Sequence, residues 1–556
     1  MHPSILAKRA WLLLFIAISA FYLWGLGYLP LVGPDEPRYA QVAREMLLRR
    51  DLITPTLGGM PWFEKPPLLY WMMMLSFHVF GVSEQAARLG PALCGLMTAG
   101  FIYWIGRQIG HATRNTGGPF DDAIGRWSAL FWLSSLGAIT FSRAASFDIV
   151  LTMTVTGAFA FFISYETHAP ELTFSVRRNS NAKLLVGFYF FAGLSTLAKG
   201  LVGFVIVFGV VALYYILPRE RPSRGLALSL VWGVPLSLAI AAAWFVPMLA
   251  IHGRIFADQF IIQHHFARFL SNKYHHPGPI YFYVPVVIAL ALPWTPALGG
   301  AILSARHWTW RGSNAVDRLR VLALIWLILP IAFFSFSGSK LVAYILPVLP
   351  AIALLAGERM TCALRAARGQ TLVFLTGATC IALAAAGNWY VYGHFDLTRS
   401  CLIFATAPLL IVGSAALIRP QLQKPLLVLI SVGIILSSAV ALKCAAPVVA
   451  RPESVRDLLL AAAARGYVRT PVTQLHTIER TAEFYAAGRL TYQPDGEPIK
   501  FEGVMQVVEA ARRYNGTVLC LVPLQFQSQL TSFAGAETDL IGDNGRVVLI
   551  AVRVKE

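Results

Sequence analysis

The sequence predicts a polytopic α-helical membrane protein that ends in a small α/β domain. Of its 556 residues, 56% are hydrophobic and only 13% are charged, whereas a soluble chain usually carries about 25% charged residues. The apolar residues form runs of about 20, the length a helix needs to cross the hydrocarbon core of a bilayer. These runs stop near residue 443, and charged residues become frequent from about residue 447.

Thirteen transmembrane helices are predicted from these runs. They are 11–28, 86–106, 125–142, 147–165, 184–198, 200–217, 226–250, 279–303, 321–337, 341–357, 371–391, 401–418 and 426–443. The first run follows Lys8 and Arg9, and it is interpreted as a retained anchor because no small-residue cleavage site follows it. The run 66–80 is too short for a span and is expected to be interfacial or re-entrant.

The loops that follow even-numbered spans are rich in arginine and lysine. Positively charged loops stay in the cytoplasm, so the N-terminus is expected to be cytoplasmic and the segment 29–85 periplasmic. An odd number of spans places the C-terminal tail in the periplasm as well. The same rule accounts for most of the net charge of +18, so the expected partner is a membrane and not a nucleic acid.

Two domains are expected. Residues 1–443 form a transmembrane domain with periplasmic loops 29–85 and 251–279, and residues 444–556 form a soluble domain. The tail alternates amphipathic helices with short strands, which favours a small α/β fold. The six cysteines are scattered without a CxxC pair, so neither a disulfide framework nor a cysteine metal site is expected.

The richest segment for chemistry is 33–71. Asp35 is placed to cap a helix, and Pro37 is tolerated in its first turn. An apolar stripe at helical spacing predicts that this helix lies along the membrane surface; its members are Tyr39, Val42, Ala43, Met46 and Leu47. From local spacing alone, Asp35 is either a capping residue or a functional carboxylate near the interface.

Glu64 and Lys65 form a second cluster, followed by two prolines that keep the backbone extended. Lys65 is placed either to bind a lipid phosphate, to extend its ammonium group towards water, or to pair with Glu64. Arg143 and Asp148 flank a short turn between two predicted spans. Asp148 is either a helix cap favoured by the helix dipole or a functional carboxylate, because a charge at this depth requires partners or water.

Further candidates lie at predicted periplasmic ends or in the loop 251–279. They are Lys199, Lys340, Tyr344, Arg268, His264 and His265. The two adjacent histidines, with Glu64, are the candidate ligands of a divalent metal. Their spacing is not the usual i, i+4 pattern of a helical metal site, so no metal or other cofactor is required by the sequence.

Several of these stretches resemble the bacterial lipid A aminoarabinose transferases, which belong to the GT-C membrane glycosyltransferases and are related to the protein O-mannosyltransferases. The resemblance covers essentially the whole chain. It is carried by Asp35-Glu36, Arg38-Tyr39-Ala40, Arg44-Glu45-Met46, Phe63-Glu64-Lys65-Pro66, Leu197-Ala198-Lys199-Gly200 and the run from Lys340 to Pro347. The motifs of the first loop are specific for the superfamily but not for the sugar.

The resemblance implies an inner-membrane enzyme that transfers 4-amino-4-deoxy-L-arabinose from undecaprenyl phosphate to a phosphate of lipid A, with inversion. It implies catalytic roles for Asp35 and Asp148 and contact between Lys65 and the carrier phosphate. The further residues expected to bind substrate are Arg38, Tyr39, Glu64, Arg143, Lys199, Arg268, Lys340 and Tyr344.

Two alternatives remain open at this stage. One is a polyprenyl-phosphate glycosyltransferase that uses another sugar or acceptor; with a hydroxyl acceptor, Asp35 would act as a general base. The other is a lipid transporter, which the sequence disfavours because internal repeats are absent and the predicted spans carry few ionisable residues at their centres.

Overall fold

The computed structural model describes residues 3–115, 121–168, 174–267, 278–311, 314–493, 496–514 and 516–555. Up to residue 444 the described residues are mainly helical. Its α-helices are α1 (Pro3–Leu23), α2 (Asp35–Arg49), α3 (Leu68–Phe80), α4 (Glu84–Asn115), α5 (Ala123–Leu133), α6 (Leu136–Ser142), α7 (Phe147–His168), α8 (Phe174–Lys199), α9 (Leu201–Ile216), α10 (Arg224–Phe256), α11 (Tyr283–Leu290), α12 (Thr295–Ser304), α13 (Ala315–Ser335), α14 (Leu349–Arg365), α15 (Gln370–His394), α16 (Arg399–Ile418) and α17 (Gln423–Cys444). A π-helix (Ala257–Ala267) follows α10, and 3-10 turns occur at Ala305–His307 and Val342–Val348.

The prediction of a polytopic helical membrane protein is confirmed. Within the described ranges, nine helices are long and apolar enough to cross a membrane, or ten if the bent pair formed by α11 and α12 is one span. Three shorter apolar helices, Arg9–Leu23, Leu68–Phe80 and Leu201–Ile216, accompany them. The helix Leu68–Phe80 has 13 residues and is therefore about 20 Å long, less than the roughly 30 Å of a hydrocarbon core.

Two predicted spans are broken helices. The span predicted at 125–142 is formed by α5 and α6, and the hydroxyl of Ser135 caps α6 by accepting a hydrogen bond from the Ala138 amide. The span predicted at 279–303 bends by 119° between α11 and α12. Two prolines, Pro293 and Pro296, lie at this bend, and proline cannot continue the hydrogen-bond ladder of a helix.

The segment between α1 and α4 contains α2, a short hairpin (β1, Thr56–Leu57; β2, Met60–Pro61) and α3. The predicted apolar stripe of α2 faces inwards, since Tyr39, Val42, Ala43 and Met46 are buried. The expected N-cap is one residue off: Pro34 holds the cap position without a side-chain hydrogen bond, and Asp35 is the first helical residue. Its carboxylate thus lies in the first turn, where the helix dipole favours negative charge.

The C-terminal part folds as a small α/β domain, as predicted. Its elements are α18 (Ala446–Ala450), α19 (Arg456–Ala464), β3 (Val472–Leu475), α20 (Ala482–Tyr485), β4 (Lys500–Phe501), α21 (Val504–Arg513), β5 (Thr517–Pro523), α22 (Gln527–Thr531), β6 (Ala536–Asp543) and β7 (Val547–Val554). The sheet order is β4-β3-β5-β7-β6. Strand β3 is parallel to β4 and β5, and β7 is antiparallel to β5 and β6. We call the end of the helical bundle on which this domain packs the docked end.

A disulfide at the docked end corrects the expectation that the cysteines are unpaired. Cys401 in the first turn of α16 is bonded to Cys444 at the end of α17, with a Cα–Cα distance of 5.8 Å. The two cysteines are 43 residues apart in sequence. Antiparallel helices of similar length bring the start of the first beside the end of the second, which cysteine spacing alone does not reveal.

Helices α4 and α5 cross through glycine. A Cβ atom on Gly106 would lie 2.3 Å from the Cα atom of Gly125, so the two backbones are in direct contact. Close backbone approach through small residues is a common way of packing helices in membranes, where no hydrophobic effect drives them together.

We expect Gly106→Ala to lower the stability of the bundle by about 1–3 kcal/mol, because the added methyl group overpacks a backbone contact that cannot yield. The measurement is thermal unfolding of the purified chain in detergent. Gly100→Ala is the matched control on the same helix, since nothing lies within 4 Å of a Cβ atom at Gly100. Equal melting temperatures for the two variants would contradict the assigned crossing.

Candidate active site

Three segments bring predicted site residues together at the docked end: the start of α2, the stretch 62–65 and the start of α7. Tyr39 lies between them, with its ring buried edge-on against Phe147 at 4.8 Å between centroids. Burial raises the pKa of the Tyr39 phenol well above its usual value, and the nearby carboxylates of Asp35, Glu64 and Asp148 raise it further. Tyr39 therefore keeps its proton and can donate a hydrogen bond.

Asp35 is the exposed member of this group. It stands at the first position of α2. An exposed carboxylate beside buried aromatic rings is accessible to a ligand without rearrangement of the backbone.

The first charged cluster contains Arg38, Glu64 and Lys65. Arg38 Nη1 lies 3.7 Å from Glu64 Oε2, and Lys65 Nζ lies 2.7 Å from Glu64 Oε1. The Arg38 guanidinium also stacks over the ring of Trp62 at 5.0 Å. Between 11% and 13% of each charged side chain remains exposed. Lys65 thus pairs with Glu64, one of the interactions predicted for it, and the cluster holds two cations against one local carboxylate.

The second charged cluster contains Asp148, Lys199 and Tyr344, and Lys340 lies four residues before Tyr344 in the sequence. Lys199 Nζ donates a hydrogen bond to Asp148 Oδ1, and the same ammonium group lies 4.6 Å from the centre of the Tyr344 ring. The Lys340 ammonium donates to the Ser337 carbonyl at 2.8 Å. These residues come from three separate helical regions, and the structure brings them together at the same end of the bundle as Asp35.

Arg143 lies at the same end, but its hydrogen bonds go to the backbone of α1 and the residue that follows it. Its Nη1 donates to the Phe21 carbonyl at 2.7 Å, and its Nη2 donates to the Trp24 carbonyl at 2.7 Å. The guanidinium also stacks over the Phe21 ring at 5.0 Å. Arg143 therefore satisfies carbonyls at the end of α1, which a helix leaves without intrahelical partners.

The remaining predicted site residues are the substrate candidate Arg268 and the three metal candidates Glu64, His264 and His265. Arg268 lies outside the described residues, and so do the side chains of His264 and His265, whose backbones belong to the π-helix after α10. Glu64, the third candidate ligand, is held between two cations. Among the residues that are described, no three His, Cys, Asp or Glu side chains group as a metal site would.

Glu483 was not predicted as a site residue, although it contacts the first charged cluster. It belongs to α20 of the C-terminal domain, and its Oε2 lies 3.6 Å from Arg38 Nε. The Glu483 side chain is fully buried, and its Oε1 also accepts a hydrogen bond from Arg480 at 3.0 Å. Burial raises the pKa of the Glu483 carboxyl, while Arg38 and Arg480 oppose the increase.

Helix α20 is held on the segment between α1 and α4 by polar contacts of the two residues that follow Glu483. Arg44 donates to the Phe484 carbonyl at 2.9 Å and stacks over the Phe484 ring at 4.2 Å. The Tyr485 hydroxyl accepts from the Leu31 amide at 2.7 Å and donates to Glu84 at 3.0 Å. These contacts fix the position of Glu483 relative to α2.

A third contact joins the hairpin to the C-terminal domain. The ring of Tyr492 packs directly on Gly58, where a Cβ atom would lie 2.4 Å from the ring. Gly58 also has φ +60°, a conformation that favours glycine. The side chain of Glu45 holds this turn by accepting from the Gly58 and Gly59 amides at 2.8 and 3.0 Å. The ring of Tyr492 in the C-terminal domain therefore packs directly against the backbone of the hairpin turn.

The docked end places several cationic side chains beside carboxylates, some of which are buried and one of which, Asp35, is exposed. Lysine and arginine groups in a partly dry environment stabilise a phosphate and the charge that develops on it. The exposed carboxylate of Asp35 is available to orient a second group. The location at the ends of apolar helices suits a ligand whose charged head meets the site while its apolar tail stays in the bilayer.

Comparison with known proteins adds three kinds of similarity. A model of the dolichyl-phosphate-mannose-protein mannosyltransferase family matches residues 9–299. The chain is 32% identical over 393 residues to an undecaprenyl phosphate-α-4-amino-4-deoxy-L-arabinose arabinosyl transferase of Pseudomonas aeruginosa, covering 68% of this chain and 65% of that protein. It is 30% identical over 371 residues to a Pseudomonas fluorescens transferase of the same name, covering 66% of this chain and 62% of that protein. The alignments thus span less than two thirds of the length of these curated relatives.

Two solved structures share the fold. The crystal structure of ArnT from Cupriavidus metallidurans bound to undecaprenyl phosphate superposes with a TM-score of 0.78 at 23% identity, over 98% of both chains. The Archaeoglobus fulgidus oligosaccharyltransferase AglB superposes with a TM-score of 0.54 at 14% identity, over 94% of this chain and 70% of that one. The predicted GT-C-like fold is therefore confirmed.

The raised pKa of Glu483 has a consequence for stability. A carboxyl group with a higher pKa in the folded than in the unfolded state binds its proton more tightly when folded. Its contribution to stability is therefore fully present below the usual carboxyl pKa and is lost as the pH rises through the folded value.

We accordingly expect Glu483→Gln, which resembles the neutral form, to melt at a higher temperature than the wild type at pH 7.5. The difference is expected to shrink as the pH is lowered towards 4.5. The measurement is thermal unfolding in detergent at both pH values. Glu509→Gln, at an exposed position of α21, is the control and should show no such dependence. A Glu483→Gln variant that is less stable than the wild type at pH 7.5 would refute the argument.

Proposed function

The chain belongs to the dolichyl-phosphate-mannose-protein mannosyltransferase family, and on that premise we propose that it transfers 4-amino-4-deoxy-L-arabinose from undecaprenyl phosphate to a phosphate of lipid A. The names of the curated relatives support the choice of sugar and carrier. The observation that carries the proposal is the grouping of Asp35, Arg38, Lys65, Asp148 and Lys199 at one end of an apolar helical bundle. Such a site receives a charged head group whose lipid tail remains in the membrane.

Lys65 is the residue we assign to the donor phosphate, with Lys199 and Lys340 as further contacts. The carrier phosphate leaves as the sugar–oxygen bond breaks, and negative charge develops on it. A nearby ammonium group stabilises this charge more in the transition state than in the ground state, which lowers the barrier. The pairing of Lys65 with Glu64 at 2.7 Å keeps the ammonium group in place before the donor binds.

Asp35 is assigned to the acceptor side. A lipid A phosphate is already ionised near neutral pH, so its oxygen can attack the sugar without a strong base. Asp35 then orients the acceptor or stabilises the positive charge that develops on the sugar ring. A single displacement from the face opposite the leaving phosphate gives inversion at the anomeric carbon. Asp148, paired with Lys199, holds that cation in the second charged cluster.

We also propose that the docked end faces the periplasm and the N-terminus faces the cytoplasm of a bacterial inner membrane. The distribution of arginine and lysine in the loops supports this orientation. The disulfide between Cys401 and Cys444 supports it independently, because disulfides persist in the periplasm and are rare in the cytosol. In this arrangement residues 1–443 form the membrane domain, and residues 444–556 form a periplasmic domain.

The function is tested by expressing the chain in a Gram-negative host that lacks its own aminoarabinose transferase but makes the lipid-linked donor. Mass spectrometry of lipid A is expected to show an increase of one aminoarabinose. Lys65→Ala is expected to lower turnover by about 10²–10³, the usual effect of removing one group that stabilises transition-state charge. Asp35→Asn is expected to lose most of the modification while keeping the shape of the side chain.

Lys500→Ala and Asp457→Asn are the matched controls, since both residues are exposed in the C-terminal domain. Both should keep wild-type modification at equal membrane expression. Unmodified lipid A in well-expressed wild type would exclude this sugar and acceptor. If both site variants still modify lipid A, the proposed function stands and the assignment of Lys65 and Asp35 to the site is wrong.

The orientation is tested by labelling cysteines in intact cells with a membrane-impermeant maleimide after reduction. We expect Cys444 to be labelled, because it lies at the docked end. Cys362 lies towards the end of α14, is partly exposed, and should be labelled only after the cells are permeabilised. Labelling of Cys362 but not Cys444 in intact cells would reverse the proposed topology.

A further inference from the structure

The structure contains a buried ion pair next to the site, between Glu36 in α2 and Arg88 in α4, that the reaction described above does not use. We propose that Glu36 and Arg88 are a positioning pair that fixes Asp35 relative to Asp148. The inference rests on the proposed function for its kinetic test, but its structural test needs no substrate.

Glu36 is the next residue after Asp35 and is buried. Its two carboxylate oxygens accept four hydrogen bonds. Arg88 donates two of them, from Nε at 3.0 Å and from Nη2 at 2.7 Å. The amide of Val32 donates at 3.1 Å, and the amide of Ala145 donates at 2.6 Å. One side chain therefore joins α2, the chain that enters it, α4 and the turn before α7.

Arg88 is engaged as completely as its partner. Besides the two bonds to Glu36, its Nη1 donates to the carbonyls of Leu26 at 3.0 Å and Leu29 at 2.8 Å. Its Nη2 donates to the Pro30 carbonyl at 2.7 Å. All five N–H donors of a guanidinium are thus used, and three of them hold the chain that leads from α1 to α2.

The bond between Ala145 and Glu36 is the step that links the pair to both candidate carboxylates. Asp35 precedes Glu36 directly, and Asp148 follows Ala145 by three residues in the first turn of α7. The hydroxyl of Ser146 bonds to the Asp148 amide at 3.1 Å, which makes the turn rigid between the two positions. A shift of the Glu36 carboxylate therefore moves Asp35 and Asp148 relative to each other.

A purely structural pair would affect how much protein folds but not how each folded molecule works. Misplacing a catalytic group by about 1 Å can cost about 10²-fold in rate, whereas donor binding through Lys65, which pairs with Glu64, does not involve this pair. The positioning role therefore predicts a fall in kcat with little change in the donor KM.

The experiment compares Glu36→Gln with Glu358→Gln in purified, detergent-solubilised full-length chain. Glu358 is the matched control because it is also buried and pairs with Arg320 at 2.6 Å in another part of the bundle. Per folded molecule, Glu36→Gln is expected to lower kcat by about 10- to 100-fold with a donor KM within about twofold of wild type. Glu358→Gln is expected to keep the wild-type kcat. An unchanged kcat in Glu36→Gln, or equal losses in both variants, overturns the proposal.

A second measurement tests the positioning role without using activity. It can therefore be interpreted even if the variants fold poorly or the wild type does not transfer this sugar. Spin labels are attached through Asp35→Cys and Ala144→Cys, the latter at a partly exposed position of the turn before α7, and the distance between them is measured with and without Glu36→Gln or Arg88→Lys. The lysine keeps the charge but has only three donors. Either change is expected to broaden or lengthen the distance distribution, while Glu358→Gln leaves it unchanged. An unaltered distribution overturns the positioning role, whereas an inactive wild type with a sensitive distribution removes only the proposed function.

Discussion

The buried pair of Glu36 and Arg88 is the interaction on which the arrangement of the docked end depends. Taking two charges out of water costs several kcal/mol for each ion, and their mutual attraction offsets this only when the remaining hydrogen-bonding groups are also satisfied. Here the guanidinium uses all of its donors and the carboxylate accepts four bonds. Removing either partner would leave an unpaired charge in an apolar environment. A partly broken network is therefore much higher in energy than the intact one. The chain between α1 and α2 and the turn before α7 are consequently held in one geometry.

The membrane explains why the chemistry gathers at the ends of the helices. A charged side chain in the hydrocarbon region is costly unless it meets a partner or water. Arg320 illustrates this elsewhere in the bundle, where it bridges Asp317 at 2.8 Å and Glu358 at 2.6 Å. At the docked end the same rule yields a different result, since Asp35 stays exposed while its neighbours are paired. The proposed lipid-linked substrate fits this place, because a charged head group can meet protein charges there while its tail remains dissolved in lipid.

The sequence predicted those features that depend on local spacing. The buried stripe of α2 and the placement of Asp148 at the start of a helix follow from patterns within a few residues. The contact between Glu64 and Lys65 is one of the three interactions that the sequence left open for Lys65. The contact between Glu483 and Arg38, the bond between Cys401 and Cys444 and the pair of Glu36 and Arg88 join residues far apart in the chain. Sequence periodicity does not reveal which distant residue will accept a hydrogen bond from a given donor. Strand β4 has only two residues, too few for an alternating pattern, and in β6 only Ala536 and Ile541 are buried.

Arg38 shows why the C-terminal domain belongs to the site as a structural unit. Its guanidinium is shared between Glu64 of the same loop and Glu483 of the domain, at 3.7 and 3.6 Å. The surrounding contacts are mostly polar. Arg44 donates a hydrogen bond to the Phe484 carbonyl, and the Tyr485 hydroxyl bonds to both the Leu31 amide and the Glu84 carboxylate. Polar contacts of this kind are directional, so they fix the orientation of α20 more tightly than an apolar surface of the same size would. The carboxylate of Glu483 is buried only when the domain is docked in this orientation. The position of the Arg38 guanidinium over Trp62 therefore depends on the docking of a domain that begins more than 400 residues further along the chain.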